Sequence, residues 1–226
     1  MRKIHRPHTS DRVPGTEGRM GDWAPYYDFI MGLMTLGKER ILRKMTVELA
    51  QVKPGDRVLE VGCGTGTLTL AAKLQAGPTG EVHGIDAAPE MIEVARRKAA
   101  RTGMDVAFQV GLIESIPFSA DQFDVALCSF MIFHMPEEAR RKGITEIYRT
   151  LKPGGQLLVV DLASPPQSVR RNLTTLLFGR MMQHDLQELV PMMEQAGFTQ
   201  IKVGQTRFEP ISFVRGRTRK VKGSQG

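Results

Sequence analysis

Arg57-Val-Leu-Glu-Val-Gly-Cys-Gly-Thr-Gly66 is the stretch of the chain that decides the fold. Its first half, residues 57–61, carries Val58, Leu59 and Val61 and is typical of a short buried strand, and the chain must then turn sharply into a helix. Glycines permit that turn and let the backbone approach a ligand without an intervening side chain. The stretch therefore predicts a strand, a ligand-binding turn and a helix in immediate succession.

The spacing of the glycines indicates which ligand the turn binds. A dinucleotide-binding turn has the pattern G-x-G-x-x-G and directs a helix N-terminus at a pyrophosphate. Here the glycines are Gly62, Gly64 and Gly66, and the acid Glu60 precedes the first of them by two residues. A carboxylate repels a pyrophosphate and suits a cationic ligand, so the turn argues against a nicotinamide oxidoreductase.

Strand-like and helix-like segments alternate from residue 54 to residue 163, a pattern that is typical of a parallel sheet with crossover helices. The predicted strands cover residues 57–61, 81–85, 105–110, 123–129 and 156–162. The predicted helices lie near residues 38–51, 66–76, 89–102 and 137–150. A further helix near 185–196, which Pro191 should kink or shorten, leads into two strands, 198–206 and 209–215, that we expect to pair as an antiparallel edge.

An acid ends the second predicted strand, Val82-His-Gly-Ile-Asp86. A carboxylate in that position accepts hydrogen bonds from both hydroxyls of a ribose, and this holds for any adenosine cofactor. The alternative is that Asp86 caps the helix that follows. Asp86 alone therefore does not distinguish one adenosine cofactor from another.

Several motifs, taken together and in this order, resemble the class I S-adenosylmethionine (SAM)-dependent methyltransferases. They are Val58–Gly66, Gly84-Ile-Asp-Ala-Ala-Pro-Glu-Met-Ile92, Ile116-Pro-Phe118 with Gln122-Phe-Asp-Val125, and Leu151-Lys-Pro-Gly-Gly155. The resemblance implies SAM as the cofactor. It also implies an α/β, Rossmann-like, doubly wound sheet of seven strands in the order 3-2-1-4-5-7-6, with the last strand antiparallel, N-terminal helices and an inserted lid after strand 5.

The resemblance further implies a set of cofactor-binding residues. The glycine turn with Glu60 would contact the methionine part of SAM, Asp86 would hold the ribose, and the residues after the third strand would border adenine. Carried over by position, the set is Glu60, Gly62, Gly64, Gly66, Asp86, Ala87, Met91, Leu112, Ile113, Ser129 and Tyr27. Many relatives carry an aspartate where Leu112 stands, so adenine would be held here by backbone groups and apolar contact, with Glu114 as a substitute acceptor.

The predicted catalytic residues are His134 and Tyr27. Trp23-Ala-Pro-Tyr-Tyr-Asp28, followed by Thr35-Leu-Gly37, resembles the lead-in of the ubiquinone and menaquinone C-methyltransferases and that of bacterial phospholipid N-methyltransferases. The resemblance implies that Tyr27 and Asp28 close over the cofactor. His134 follows the fourth strand at the carboxyl end of the sheet and can act as a base toward a phenol or quinol. Alternatively, it is a loop histidine beside Pro136.

The identity of the methyl acceptor stays open at the level of sequence. A small or lipophilic acceptor such as a quinol or phenol is the main expectation, and a phospholipid amine at a membrane surface is the alternative. A non-catalytic SAM-binding protein and a nucleic-acid methyltransferase are further alternatives. The formal charge of +7 comes largely from the two ends of the chain, but no motif for a flipped base is visible, which disfavours nucleic acid.

Composition indicates one domain with appended tails. A length of 226 residues with 41% hydrophobic residues suits one well-buried core. We expect a flexible basic arm over residues 1–21, the methyltransferase domain over 22–216 and a basic tail over 217–226. A lid insert over 164–185 is amphipathic, basic and rich in methionine, so it can cover a hydrophobic acceptor, lie on an anionic membrane or supply core.

The remaining composition argues against several other classes of protein. Cys63 and Cys128 are the two cysteines, both in apolar runs, and they indicate neither a disulfide framework nor a zinc site. No apolar stretch is long enough for a membrane span, and the N-terminus lacks the apolar core of a signal peptide. We therefore expect a cytoplasmic protein that binds no metal, with peripheral contact to the inner face of the membrane as an alternative.

Overall fold

The computed structural model describes residues 39–162, 185–208 and 211–219. The strands are β1 (Arg57–Val61), β2 (Glu81–Asp86), β3 (Ala107–Val110), β4 (Phe123–Ser129), β5 (Leu151–Leu162), β6 (Thr199–Gln205) and β7 (Ile211–Arg217). The helices are α1 (Glu39–Leu49), α2 (Thr67–Ala76), α3 (Pro89–Thr102), α4 (Glu137–Thr150) and α5 (Leu189–Ala196), with short 3-10 helices at Ile132–His134 and Leu186–Glu188.

All seven strands form one sheet, in the order β3-β2-β1-β4-β5-β7-β6. The first five strands run parallel, whereas β7 runs antiparallel to both β5 and β6. The predicted strand order and the antiparallel last strand are thus confirmed. The strand order reverses between β1 and β4, and in open sheets of this kind ligands bind beyond the carboxyl ends of the strands at that reversal.

Two apolar layers cover the sheet and hold those carboxyl ends in place. On one face Leu59 and Val61 of β1 pack in the same cluster as Ile144 and Ile147 of α4. On the other face Val58 packs in a cluster with residues of α1 and α2, including Leu42 and Leu68. Because helices cover both faces, β4 is a nearly continuous apolar run in the sequence.

The fifth strand begins at Leu151, earlier than the predicted start at residue 156. Leu151 pairs with Phe123, and the register shifts before Gln156 pairs with Val125. The Pro153-Gly154 pair therefore lies in a bulge within the strand. A side chain at Gly155 would place its Cβ 2.8 Å from the Lys152 carbonyl oxygen, so the bulge requires glycine there.

Pro191 shortens the helix near residues 185–196, as predicted. Residues Leu186–Glu188 form a 3-10 turn, and α5 starts at Leu189. Pro191 then falls in the first turn of α5, where a helix has no intrahelical partner for its backbone N–H groups. The Asp185 side chain accepts a hydrogen bond from the Gln187 amide at 2.9 Å and caps the start of this segment.

The predicted arm, the aromatic lead-in with Tyr27, the whole predicted insert except Asp185, and the tail beyond Arg219 lie outside the described residues. Cys63 and Cys128, the two cysteines in apolar runs, are both buried. Across the described ranges, no group of side chains is arranged to hold a metal ion. No helix in these ranges is long and apolar enough to cross a membrane.

Candidate functional site

The glycine turn leaves β1 with all three of its glycines in left-handed backbone conformations. Their φ angles are 71° at Gly62, 51° at Gly64 and 76° at Gly66, a region that costs other residues about 1–2 kcal/mol each. The amides of Gly62 and Cys63 donate to the Ile85 carbonyl at 2.8 and 2.9 Å. The turn is thus fixed to the end of β2.

Asp86, at the carboxyl end of β2, holds the turn from the side. Its Oδ2 accepts a hydrogen bond from the Gly64 amide at 2.8 Å, and its Oδ1 accepts one from the Ala88 amide at 2.9 Å. Burial raises the pKa of Asp86, and the Ala88 and Gly64 amides oppose that rise. Since each carboxylate oxygen can accept a further hydrogen bond, the anchoring role is compatible with binding ribose hydroxyls.

Glu60 lies at the base of the turn and is 2% exposed. Its carboxylate accepts a hydrogen bond from the Thr69 hydroxyl of α2. Burial raises the pKa of Glu60 to about 7, although Thr69 and the nearby Arg43 lower it. Glu60 and Asp86 therefore make the turn an acidic environment.

Arg43 of α1 is a neighbour of this acidic environment that sequence reasoning missed. Its Nη1 lies 3.5 Å from Ser129 Oγ, and its Nη2 lies 3.3 Å from Glu39 Oε1. The guanidinium is 6.0 Å from the centre of the Phe130 ring. No sequence signal separates Arg43 from the exposed basic residues of the same helix, because only the packing of α1 shows which of them faces the sheet.

Phe108 of β3 fills the space beside two glycines and was also missed. A Cβ at Gly66 would lie 2.6 Å from Phe108 Cζ, and a Cβ at Gly84 would lie 2.8 Å from Phe108 Cδ1. The start of α2, the strand β2 and the ring of Phe108 are therefore in close contact. A glycine inside a predicted strand, as at position 84, is the signal that could have revealed this approach.

The segment after β4 packs against Gly62, the first glycine of the turn. A Cβ at Gly62 would lie 2.5 Å from Met131 Cγ, so Met131 occupies the space that a side chain would need. Ser129, which is 8% exposed, ends β4 next to this contact. The structure thus brings the predicted residues Gly62 and Ser129 to the same carboxyl edge.

The residues predicted to border adenine differ in how far their side chains are exposed. Leu112 is partly exposed and forms a bridge with Ser115. Ile113 is 3% exposed, and its side chain packs against Gly143 of α4, so this side chain belongs to the core. Glu114, the suggested substitute, has a buried Oε2 without a hydrogen-bond partner among the described residues.

Ala87 and Met91 lie just beyond Asp86. Ala87 is exposed, and Met91 is buried in the first turn of α3. The contacts of these two residues with ribose stay predictions.

Two titratable residues, His134 and Asp161, lie at the carboxyl edge beyond β4. The sequence predicted the first of them and not the second. His134 is exposed at the end of the Ile132–His134 turn. Asp161, which sequence reasoning did not select, is 6% exposed near the end of β5. An acid inside the apolar run Leu157–Leu162 was the signal that could have found it.

Comparisons with known proteins identify the family to which the chain is similar. Residues 58–155 match the family described as methyltransferase domain. The chain is 34% identical over 175 residues to a ubiquinone/menaquinone biosynthesis C-methyltransferase from Geobacter sp. strain M21, covering 76% of this chain and 74% of the relative. It is 32% identical over 214 residues to a demethylmenaquinone methyltransferase from Lactiplantibacillus plantarum, covering 82% and 88%.

A solved structure of a SAM-dependent methyltransferase from Aquifex aeolicus shares the fold. It superposes with a TM-score of 0.68 at 21% identity and covers 87% of this chain and 97% of its own. At that identity the likeness supports the architecture of the sheet and its flanking helices.

Proposed function

This chain belongs to the class I SAM-dependent methyltransferases and resembles the ubiquinone/menaquinone C-methyltransferases; on that basis, we propose that its methyl acceptor is a quinol or a related phenol. SAM is the cofactor. SAM supplies a methyl group already activated by its bond to a positively charged sulfur. The chain's own residues must therefore bind and align the two reactants, exclude water and remove a proton.

The glycine turn and its acids fit SAM. The ligand carries positive charge on its sulfonium and ammonium groups and two donating ribose hydroxyls, and the turn offers Glu60 and Asp86 rather than a pyrophosphate site. Only glycines fit this cradle, because a Cβ at Gly62 would clash with Met131 and a Cβ at Gly66 would clash with Phe108. We assign the methionine part of SAM to Glu60 and the glycine turn, and the ribose to Asp86.

The observation that carries the acceptor proposal is the similarity to relatives named for quinone methylation over most of their length. The segment after β4 supports it, because Met131, Phe133 and Met135 are partly buried apolar side chains at the carboxyl edge. An apolar rim suits a lipophilic ring. His134 at the end of the same segment is proposed to face the acceptor and to exchange protons with water.

The phospholipid amine that the sequence left as an alternative has no support in these relatives. Their names specify quinone methylation, and the residues that the structure describes offer no observation that favours a phosphate headgroup over a quinol.

The proposal is tested by methyl transfer from radiolabelled SAM to a short-chain naphthoquinol that lacks the ring methyl group and is kept reduced during the assay. Phosphatidylethanolamine vesicles and a simple amine serve as competing acceptors. We expect label in the naphthoquinol and none in the lipid. Label in the lipid alone, or SAM binding without transfer to any quinol or phenol, would contradict the proposal.

A further inference from the structure

Asp161 extends beyond the end of the neighbouring parallel strand. Ser129, the last residue of β4, pairs with Val160 of β5, and the Phe130 amide donates to the Val160 carbonyl at 2.9 Å. Asp161 is the next residue of β5. Its neighbour on that side is therefore the turn that follows β4 and not another strand, which puts its carboxylate at the carboxyl edge of the sheet.

The carboxylate of Asp161 is only partly satisfied. Oδ1 accepts a hydrogen bond from the Leu162 amide at 2.8 Å. Oδ2 is buried and has no hydrogen-bond partner among the described residues. A buried carboxylate oxygen without a partner costs free energy on the order of 1–3 kcal/mol or more, and such an oxygen is poised to accept a hydrogen bond from a ligand.

The turn after β4 links Asp161 to the methyl-donor side of the site. The Phe133 backbone amide lies close enough to the Asp161 carboxylate to lower its pKa, and Met131, two residues earlier, lies against Gly62 of the glycine turn. One short segment thus lies against the proposed SAM turn at one end and against Asp161 at the other. An acceptor aligned between the two would meet both.

We propose that Asp161 is the proton acceptor of the methyl transfer, and that its unpartnered oxygen receives the hydroxyl proton of the acceptor. The inference rests on the proposed function, because it requires a quinol- or phenol-type acceptor. It assigns proton removal to a buried carboxylate, with the exposed His134 left to pass protons to water.

The proton and electron balance of the step is as follows for a ring carbon as methyl acceptor. The acceptor O–H bond breaks, its proton goes to Asp161, and the electron pair of that bond moves into the ring. A bond forms between a ring carbon and the methyl group as the methyl–sulfur bond breaks, and sulfur keeps that electron pair. The hydrogen of the methylated carbon returns as a proton to the acceptor oxygen, which leaves one proton on Asp161 for release to water.

The surroundings of Asp161 bring its pKa close to neutral pH, where it can accept a proton. Burial raises the pKa of Asp161 to about 7, against the opposing effect of the Leu162 and Phe133 amides. On β4, burial raises the pKa of the Cys128 thiol well above its usual value, so this neighbour stays protonated. Ser212 of β7 pairs with Asp161 across the sheet. The titratable or charged residues on the elements around Asp161 include His134, on the turn after β4, and Arg140 of α4, which lies 5.4 Å from the Phe133 ring centre.

The test compares the whole chain with D161N, D161E, H134N and D124N, using the same naphthoquinol and SAM over a range of pH. At saturating SAM, which keeps the Glu60 carboxylate paired with its cationic ligand, the wild-type kcat/KM for the naphthoquinol should rise with pH through about 7 and then level off. D161N should lose about 100-fold or more in kcat and should lose this pH dependence, while its SAM affinity stays at the wild-type value. D161E, which keeps a carboxylate, should recover part of the rate.

Two of the variants serve as controls. D124N removes a carboxylate at the opposite end of β4, where Asp124 binds Lys152, and it should leave the rate unchanged. H134N should keep the pH dependence even if its rate is lower.

The outcomes separate this inference from the proposed function. A wild-type chain that methylates no quinol or phenol overturns both. If the wild type is active and D161N retains a rate within a few-fold of it, the role of Asp161 alone is overturned. The same holds if H134N, and not D161N, loses the pH dependence. If D161N fails to fold, as judged by thermal unfolding and SAM titration, then a folded D161E without any activity also overturns it.

Discussion

Asp86 Oδ2 accepts a hydrogen bond from the Gly64 amide at 2.8 Å, so the acid that ends β2 also holds the glycine turn. The two motifs that most clearly resemble a methyltransferase are therefore parts of one structure. Asp86 has a structural role before any cofactor binds, and its substitution should affect both folding and binding.

D86N should weaken SAM binding and also lower stability. Both oxygens of Asp86 accept from backbone amides, so an amide nitrogen in place of either one would face another donor. We expect a loss of about 1–3 kcal/mol in the free energy of unfolding and at least about 10-fold weaker SAM binding, measured by denaturant titration and calorimetry. A variant with wild-type stability would show that the Gly64 contact does not support the turn.

G66A tests the cradle itself, with G103A as its matched control. Both glycines have positive φ angles, 76° at Gly66 and 64° at Gly103, but a Cβ at Gly66 would meet Phe108 and Ala95 whereas a Cβ at Gly103 would meet nothing within 4 Å. G103A should cost about 1 kcal/mol of backbone strain and leave SAM affinity unchanged. G66A should cost more and abolish SAM binding.

The cradle interpretation also predicts a partial rescue. Combining G66A with F108L, which shortens the crowding ring, should restore part of the lost stability. Equal effects of G66A and G103A on SAM affinity would contradict the cradle.

E60Q should stabilise the chain at alkaline pH. Burial raises the folded-state pKa of Glu60 from 4.5 to about 7, so between these values the folded state keeps a proton that the unfolded state releases. The contribution of Glu60 to stability is therefore greatest below about 4.5, declines as the pH rises, and is lowest above about 7. E60Q should exceed the wild type by about 3 kcal/mol above that window and by nothing below it.

Urea unfolding at a series of pH values measures the effect of E60Q. A constant difference between E60Q and the wild type across the window would mean that Glu60 is not held in its neutral form.

L112D should strengthen SAM binding. Leu112 is partly exposed, and the methyltransferase resemblance predicts an acceptor for the adenine amino group at this position. A restored acceptor should improve SAM affinity about 10-fold, and stability should change by no more than about 0.5 kcal/mol. L112A is the control and should not improve affinity. Weaker binding by L112D would place adenine elsewhere.

Most of the fold could be predicted from the sequence because the signals were local. Glycines at Gly62 and Gly66, the acid at Asp86 and the alternating apolar segments each specify a strand end or a helix start. The early start of β5 could not be predicted, since it depends on the pairing of Leu151 with Phe123 across the sheet. Prolines and glycines in a bulge look like those of a turn when the partner strand is unknown.

The site was predicted less completely than the fold. Its glycines and acids carry a recognisable spacing, whereas Arg43, Phe108 and Asp161 reach the site only through tertiary packing. Arg43 comes from a helix that precedes the sheet, and Phe108 is one apolar residue among many in the strands. Asp161 was visible as an acid in an apolar run, but only the packing of the turn after β4 against the end of β5 places it on the acceptor side.

The most direct test of the central claim, that the glycine turn binds SAM, is calorimetric titration of the whole chain with SAM, S-adenosylhomocysteine and NAD, repeated with G66A. We predict that SAM and S-adenosylhomocysteine each bind one to one, that NAD does not bind, and that G66A abolishes both binding events. Binding of NAD without binding of SAM, or undiminished SAM binding by a folded G66A, would contradict the assignment of this turn.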